Sequence, residues 1–368
     1  MKRVTNILLL VLFTWITVNT AYCQRRRMRG GNTAPPLKSV QELDGYLQKL
    51  TKKQQFSGTV LVVQNNKKIF SKAFGYASKR FKVPNQMDTK FNIGSINKLF
   101  TTVAILQLIQ KGKIKLSDKA IQYVPELSME NREKITIEHL IKMKSGLGFY
   151  WENKKYTNNW ENLRNMEDYL AIIKDEKLAF EPGTKRQYSN SGYELLGIIV
   201  QRVAKQNYYE YVKQHIYKIA DMNNTDSYDY DEVVENLAMG YTNLKRGENM
   251  RPGNHGSGKG HMYNNVYRHS SKGTAAGGGY STVGDFQKFS MALATHKLLN
   301  QKWTGWMFNH FSRGRGRSLF VAGGATGISA CFSFDANKGN SIVVLANYDG
   351  VSMPIARRIH QSLDTMSK

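Results

Sequence analysis

Apolar and polar positions set out the elements before any chemistry is considered. From Ser39 to Leu50 (SVQELDGYLQKL) the apolar residues fall at helical spacing, predicting an amphipathic helix. Gly58–Ala77 (GTVLVVQNNKKIFSKAFGYA) holds two β-rich runs around the polar Asn65-Asn66 pair, the pattern of a hairpin. Leu99, Val103, Leu106 and Ile109 then recur with helical period, and Gly112 stands where that helix should stop. From about Asp118 to Lys272 the pattern is mostly helical between loops, notably in ITIEHLIKMKSGL (Ile135–Leu147) and YELLGIIVQRVAKQ (Tyr193–Gln206). Leu244–Asn265 is rich in Gly, Asn and basic residues and predicts a mobile surface loop. Strand pattern returns over Ser318–Asp349, and Pro354–Leu363 is a closing helix. No internal repeat is present. Hairpin, helices, strands and a last helix predict an α+β fold. Its antiparallel sheet is built from both chain ends and flanked by helices, with a mostly helical inserted lobe. The sheet lobe would take about 39–117 and 273–368, and the helical lobe about 118–272.

Composition narrows the setting. The 368 residues, 41% hydrophobic and 11% aromatic, suit a packed globular protein. Lys2 and Arg3, the apolar Ile7–Val18 and the Ala21–Cys23 ending resemble an export signal over residues 1–23. The basic, Gly/Pro-containing residues 24–38 would follow as a flexible leader. The expected location is therefore periplasmic or secreted. Lipidation at Cys23 is the rival reading, and the bulky Tyr22 counts against it. Cys23 and Cys331 are the only cysteines, so loss of the first leaves no internal disulfide. Cys331 lies in an apolar strand and reads as core. His255 and His261 share a Gly-rich loop without metal-ligand spacing, and no metal or cofactor is expected. A net charge of +25 favours anionic envelope polymers as electrostatic partners, or serves solubility alone. Nucleic-acid signatures are missing, so no nucleic-acid partner is expected.

One pair of residues carries the chemistry. Ser95–Lys98 is the only serine followed by lysine three places on. Positions i and i+3 share a helical face, which would bring the amine near the hydroxyl. Burial would favour the neutral amine, able to accept the serine's proton. The helix N-terminus would offer free N–H groups to a developing oxyanion. By spacing alone, a capping serine with a snorkelling lysine is the favoured explanation of the pair. No Gly-x-Ser-x-Gly elbow occurs, which removes the α/β-hydrolase alternative.

The wider context resembles the serine β-lactamase and penicillin-binding family, from about Phe56 to Leu363. The nearest branch is that of class C β-lactamases, D-alanyl-D-alanine carboxypeptidases and related esterases. TKFNIGSINKLFTTVAILQLIQKGKIKLSD resembles the family's S-x-x-K helix, and ITIEHLIKMKSGL its TIRHLLTHTSGL segment, with Met143 and Lys144 in place of His-Thr. FEPGTKRQYSNSGYELLGIIV resembles the stretch bearing Tyr-x-Asn. Tyr-x-Asn occurs four times, at Tyr156–Asn158, Tyr188–Asn190, Tyr241–Asn243 and Tyr263–Asn265. Only Tyr188–Asn190 has the family's surroundings; the other copies read as loop polarity. The resemblance implies Ser95 as nucleophile, Lys98 and Tyr188 in proton transfer, and Asn190 as a substrate-amide ligand.

The third family motif, Lys or His then a small residue and Gly, is altered. LFVAGGATGIS (Leu319–Ser329) places Val321 or Ala322 at the cationic position, depending on register. Gly323, Gly324 and Ala325 can still bring a main-chain N–H to the reacting carbonyl. Arg313, Arg315 and Arg317 alternate just before this run and either replace the cation or form a solvated turn. The expected function is an exported serine hydrolase forming an acyl-enzyme on ester, amide or β-lactam bonds of a small-molecule or peptidoglycan-derived substrate. A non-catalytic penicillin-binding-like receptor is the alternative.

Overall fold

The computed structural model describes residues 35–245, 260–266, 270–312 and 316–366, and Pro36–Lys368 form one compact unit. The expected signal, most of the leader, Arg313 and Arg315 lie outside the described residues. The end of the expected leader belongs to the fold instead. Leu37 is buried, its N–H donates to Ser362 Oγ at 2.8 Å, and its carbonyl accepts from Thr365 at 2.7 Å.

Ser39 caps the first helix, α1 (Val40–Lys52), accepting the Glu42 N–H at 3.2 Å, and the helix buries Leu43 and Leu47. Strands β1 (Gly58–Gln64) and β2 (Lys67–Phe74) follow, and Asn65 and Asn66 make the turn at φ 49° and 61°. Asparagine tolerates that left-handed region better than other side chains, which is why the pair reads as a turn. A small hairpin, β3 (Tyr76–Ser78) and β4 (Val83–Pro84), leads to β5 (Phe91–Asn92) and helix α2 (Asn97–Gln110). Every residue of α2 from Asn97 to Leu108 is buried, so it is a central helix with no solvent stripe.

The middle of the chain carries α3 (Ile137–Ile141), α4 (Lys154–Thr157), α5 (Met166–Ile173), α6 (Ser191–Ala204) and α7 (Tyr208–Val212). The helix expected over Ile135–Leu147 is thus only five residues long. Met143 turns left-handed at φ 57°, and the Lys144 N–H reaches back to the His139 carbonyl at 2.7 Å, closing the helix early. Short strands β6 (Tyr241–Thr242) and β7 (Tyr263–Asn264) pair antiparallel at the two ends of the expected loop, so its flanks are anchored. Its interior, 246–259, lies outside the described residues. Next come β8 (Tyr280–Ser281), which pairs with β5, then α8 (Val283–Ala294) and α9 (Gln301–Phe311). Strands β9 (Ser318–Ala325), β10 (Ile328–Asp335) and β11 (Asn340–Ala346) and helix α10 (Ser352–Met366) complete the chain.

The main sheet runs β2-β1-β11-β10-β9, and every neighbouring pair is antiparallel. Strands from both chain ends therefore meet in it, as the pattern predicted. Alternation sorts its side chains between two cores. Val60, Val62, Cys331 and Val344 join the core that includes Leu43, Leu47, Ile355 and Ile359 of α1 and α10. Leu61, Phe332, Val343 and Leu345 face the larger core around α2, α6 and α8. Cys331 is buried in the core of α1 and α10, as expected.

Phe100 sits at the centre of the larger core, edge-on to Tyr217 and Phe289, each at 5.1 Å, and stacked on Phe286 at 6.2 Å. Phe100→Ala should lower unfolding free energy by about 3–5 kcal/mol in urea titration, the cost of a large buried cavity.

Candidate active site

Ser95 lies on the 3-10 turn Gly94–Ile96 that feeds α2, and it is not the helix cap. The turn is held from both sides. Ile93 N–H donates to the Gly279 carbonyl at 2.8 Å, Asn92 Oδ1 accepts the Gly94 N–H at 2.9 Å, and Asn97 Nδ2 donates to the Thr274 carbonyl at 2.9 Å. Gly94 has φ 51°, a value that costs a glycine little. The Ser95 hydroxyl is left for another partner: Tyr188 Oη donates to Ser95 Oγ at 2.7 Å.

Tyr188 is positioned by the Met143–Gly148 segment. Gln187 N–H donates to the Met143 carbonyl at 3.0 Å, and Asn190 N–H to the Gly148 carbonyl at 3.0 Å, so the chain is pinned on both sides of the tyrosine. Phe149 stacks against the Tyr188 ring at 6.2 Å, a contact the sequence pattern did not single out. Lys98 is 3% exposed, which rules out the snorkelling alternative. Its ammonium does not go to Ser95. It donates to Asn190 Oδ1 and to the Ala276 carbonyl, and stands 4.9 Å from the Tyr188 ring centre and 5.3 Å from that of Tyr193. Geometry thus puts the phenol, rather than the amine, next to the serine.

The third motif acquires a register. A Cβ on Gly323 would fall 1.9 Å from the Ile93 carbonyl oxygen and 2.8 Å from the Ser95 nitrogen, so only glycine allows β9 to lie against the Ser95 turn. Residues of the same parity share that face, and Val321 packs into the larger core with Phe332, its cross-strand partner. Ala322 pairs with Cys331 and belongs to the opposite face. Val321 therefore shares the face of β9 that is turned to the Ser95 turn, and it packs on the core without being among the cleft-lining residues. Gly324 and Ala325 line the cleft beside Ser95, whereas Gly323 is pressed behind it. Arg317 stacks its guanidinium 5.6 Å over Phe308 and is not among the cleft-lining residues.

The cleft has a volume of about 730 Å³ and is walled by aromatic residues, among them Tyr150, Trp151, Tyr156, Tyr228 and Tyr280. Lys272, also in its lining, is paired with Asp229 at 2.8 Å. Two residues of the Tyr-x-Asn copies read as loop polarity stand in this wall: Tyr156, and Asn265, whose Nδ2 donates to the Thr326 carbonyl at 2.9 Å. The bare motif held no signal for them, because only the fold brings 156 and 265 to the cleft. A second omission is Glu194, fully buried behind Lys98 and bonded by Thr274 Oγ1 at 2.6 Å. A lone acid in the apolar run YELLGIIV was its visible sign. Among the described residues no cluster of His, Cys, Asp or Glu could hold a metal, and no helix is long and apolar enough to cross a membrane.

Sheet and helices define a β-lactamase/transpeptidase-like fold of the serine-hydrolase kind. The beta-lactamase family profile matches residues 43–364, and the chain belongs to that family. It is 33% identical over 207 residues to Protein flp of Staphylococcus aureus strain MW2, covering 55% of this chain and 41% of flp. The chain thus spans about two-fifths of that relative's length. It is 29% identical over 313 residues to the putative penicillin-binding protein PbpX of Bacillus subtilis, covering 83% of this chain and 73% of PbpX. A penicillin-binding protein structure from Bacillus halodurans superposes with TM-score 0.74 at 25% identity, covering 86% of this chain and 98% of that one.

The two neighbouring glycines of β9 should behave differently. A Cβ on Gly324 meets only the Ile328 carbonyl, at 3.6 Å. Gly324→Ala should melt near the native temperature, and Gly323→Ala should melt several degrees lower in a thermal scan, because the Ser95 turn must move.

Proposed function

We propose that this protein is an exported serine hydrolase that works through an acyl-enzyme on esters or amides lacking a carboxylate beside the scissile bond. The observation that carries this reading is the 2.7 Å hydrogen bond between Tyr188 Oη and Ser95 Oγ above a buried Lys98. The Lys98 ammonium lies 4.9 Å from the Tyr188 ring centre. Tyr188 serves as the general base that takes the proton of Ser95 while the serine oxygen attacks the substrate carbonyl. N–H groups of Ser95 and of the Gly324–Ala325 stretch receive the tetrahedral oxyanion, and Asn190 orients the substrate. Tyr188 then passes its proton to the departing alkoxide or amine. In deacylation it takes a proton from water, whose oxygen attacks the acyl carbon, and returns that proton to Ser95. Lys98 acts here as a fixed charge and relay, not as the first base. No cofactor is required by this scheme.

Val321, on the face of β9 turned to the Ser95 turn, supplies no cation, which weakens recognition of β-lactams and of D-Ala-D-Ala termini, both carboxylate-bearing. The same substitution favours the non-catalytic receptor as the second reading. Export rests on the residue 1–23 pattern, and an anionic envelope is the expected electrostatic partner of the +25 chain.

Short-chain p-nitrophenyl ester turnover should exceed nitrocefin turnover, and Ser95→Ala should abolish both it and fluorophosphonate labelling. Tyr188→Phe should lower kcat by about 10²–10⁴-fold, the usual worth of a general acid–base group. A native protein that takes no covalent label would favour the receptor reading. Val321→Lys should raise the nitrocefin acylation rate, with Ala322→Lys as the control that should not; equal effects would mean that the register assignment is wrong.

A further inference from the structure

Behind Lys98 lies a carboxyl group that the proton transfers above leave unused. Glu194 stands on α6, one turn beyond Asn190, and is 0% exposed. Thr274 Oγ1 donates to its Oε1 at 2.6 Å, and Oε2 has no hydrogen-bond partner. Buried carboxyls with an unsatisfied oxygen are costly, so its retention in an otherwise apolar stretch calls for a role.

Glu194 and Lys98 share both of their anchors. Asn190 receives the Lys98 ammonium on Oδ1 and the Glu194 N–H on its carbonyl, the latter at 3.0 Å. The Thr274–Ala276 turn gives Lys98 the Ala276 carbonyl and gives Glu194 the Thr274 hydroxyl. Among the described residues, the other ionisable groups interacting with Glu194 are phenols: Tyr150, Tyr156 of α4, Tyr169 of α5, and Tyr208 and Tyr209 of α7. Burial pushes all five above the ordinary phenol range, and the Glu194 charge adds to the rise, so they are neutral in any working pH range. Helix α3, which also packs on α6, buries Ile137, Leu140 and Ile141. Lys98 is the charged group of this set.

We propose that Glu194 is a positioning residue for the active site. Through the Thr274 hydroxyl and the α6 turn that carries Asn190, its carboxyl holds the two anchors of Lys98, and its change of charge is felt at the Lys98–Tyr188–Ser95 contacts. This inference rests on the acyl-hydrolase reading of the same cleft. Burial, the dominant cause, pushes the Glu194 carboxyl up to about 7, against the lowering effects of the Thr274 hydroxyl, the Lys98 charge and the Ala276 and Ala275 N–H groups. Its charge therefore changes in the neutral range. With the folded value raised, the unfolded chain ionises first. The stability held by the neutral form is complete below about 4.5 and is lost as pH rises toward about 7.

Two measurements test the proposal. In thermal unfolding between pH 4.5 and 8, the native protein should lose melting temperature with rising pH more steeply than Glu194→Gln. Lys98→Met should steepen the loss further, and Glu194→Gln in that background should abolish it, a non-additive cycle. In the pH profile of Ser95-dependent kcat/KM for p-nitrophenyl acetate, Glu194→Gln should move the acidic limb roughly 1 unit to lower pH. Glu194→Asp, which keeps the charge, should restore the native limb. Equal stability slopes in native and Glu194→Gln proteins overturn the proposal, as does an unmoved limb where native turnover is intact. Absence of Ser95-dependent turnover in the native protein would sink the hydrolase reading instead. The stability cycle then decides alone: additive effects overturn the Glu194–Lys98 coupling, and non-additive effects uphold it.

Discussion

An ammonium in a protein interior must be given oxygen partners, and that requirement organises this molecule. Lys98 sits at 3% exposure on a helix buried almost to its last turn. Its partners come from Asn190, at the head of α6, and from Ala276, in the turn before β8. Three stretches far apart in the chain are therefore tied at one point, because leaving any donor unmet would cost a full desolvation penalty. The same tie brings the Tyr188 phenol over the lysine and onto the serine. Packing and chemistry are here one arrangement.

The second constraint is steric. On its closed side the Ser95 turn is tightly packed: Gly323 of β9 lies against Ile93 and Ser95, and a Cβ on Gly277 would fall 3.3 Å from the Gly94 backbone. The rigid edge of the sheet and the head of α2 are thereby pressed together, and a main-chain oxyanion site needs that closeness. It also explains why the third motif can lose its cation without losing its backbone. Glycine is demanded by the contact at 323, whereas position 321 carries a side chain that packs against the apolar core.

Much of the fold was legible because its signals are local. Asn65-Asn66 reads as a turn for the same reason that it adopts left-handed φ, and Ser39 reads as a cap because its hydroxyl satisfies a nearby N–H. The α2 helix was legible from its apolar period, and the antiparallel sheet from the order of elements. Less legible was the Ile135–Leu147 stretch, where a left-handed Met143 ends the helix after one and a half turns so that the chain can brace Tyr188. Nothing in the periodicity of that stretch announces the need.

For the site itself, the sequence alone determined which residues are unusual: one Ser-x-x-Lys pair, a Tyr-x-Asn copy in fitting surroundings, and a motif without its cation. Tertiary structure decided who touches whom. It set the serine against the tyrosine and the lysine against Asn190 and Ala276. It also chose Val321 over Ala322 for the face toward the Ser95 turn, brought Tyr156 and Asn265 to a cleft from which they are remote in sequence, and buried Glu194 in the interior. The physical reason is one of range. Turns, caps and helical periods are settled by atoms a few residues apart, but hydrogen-bond partners and strand faces are settled by how distant segments pack.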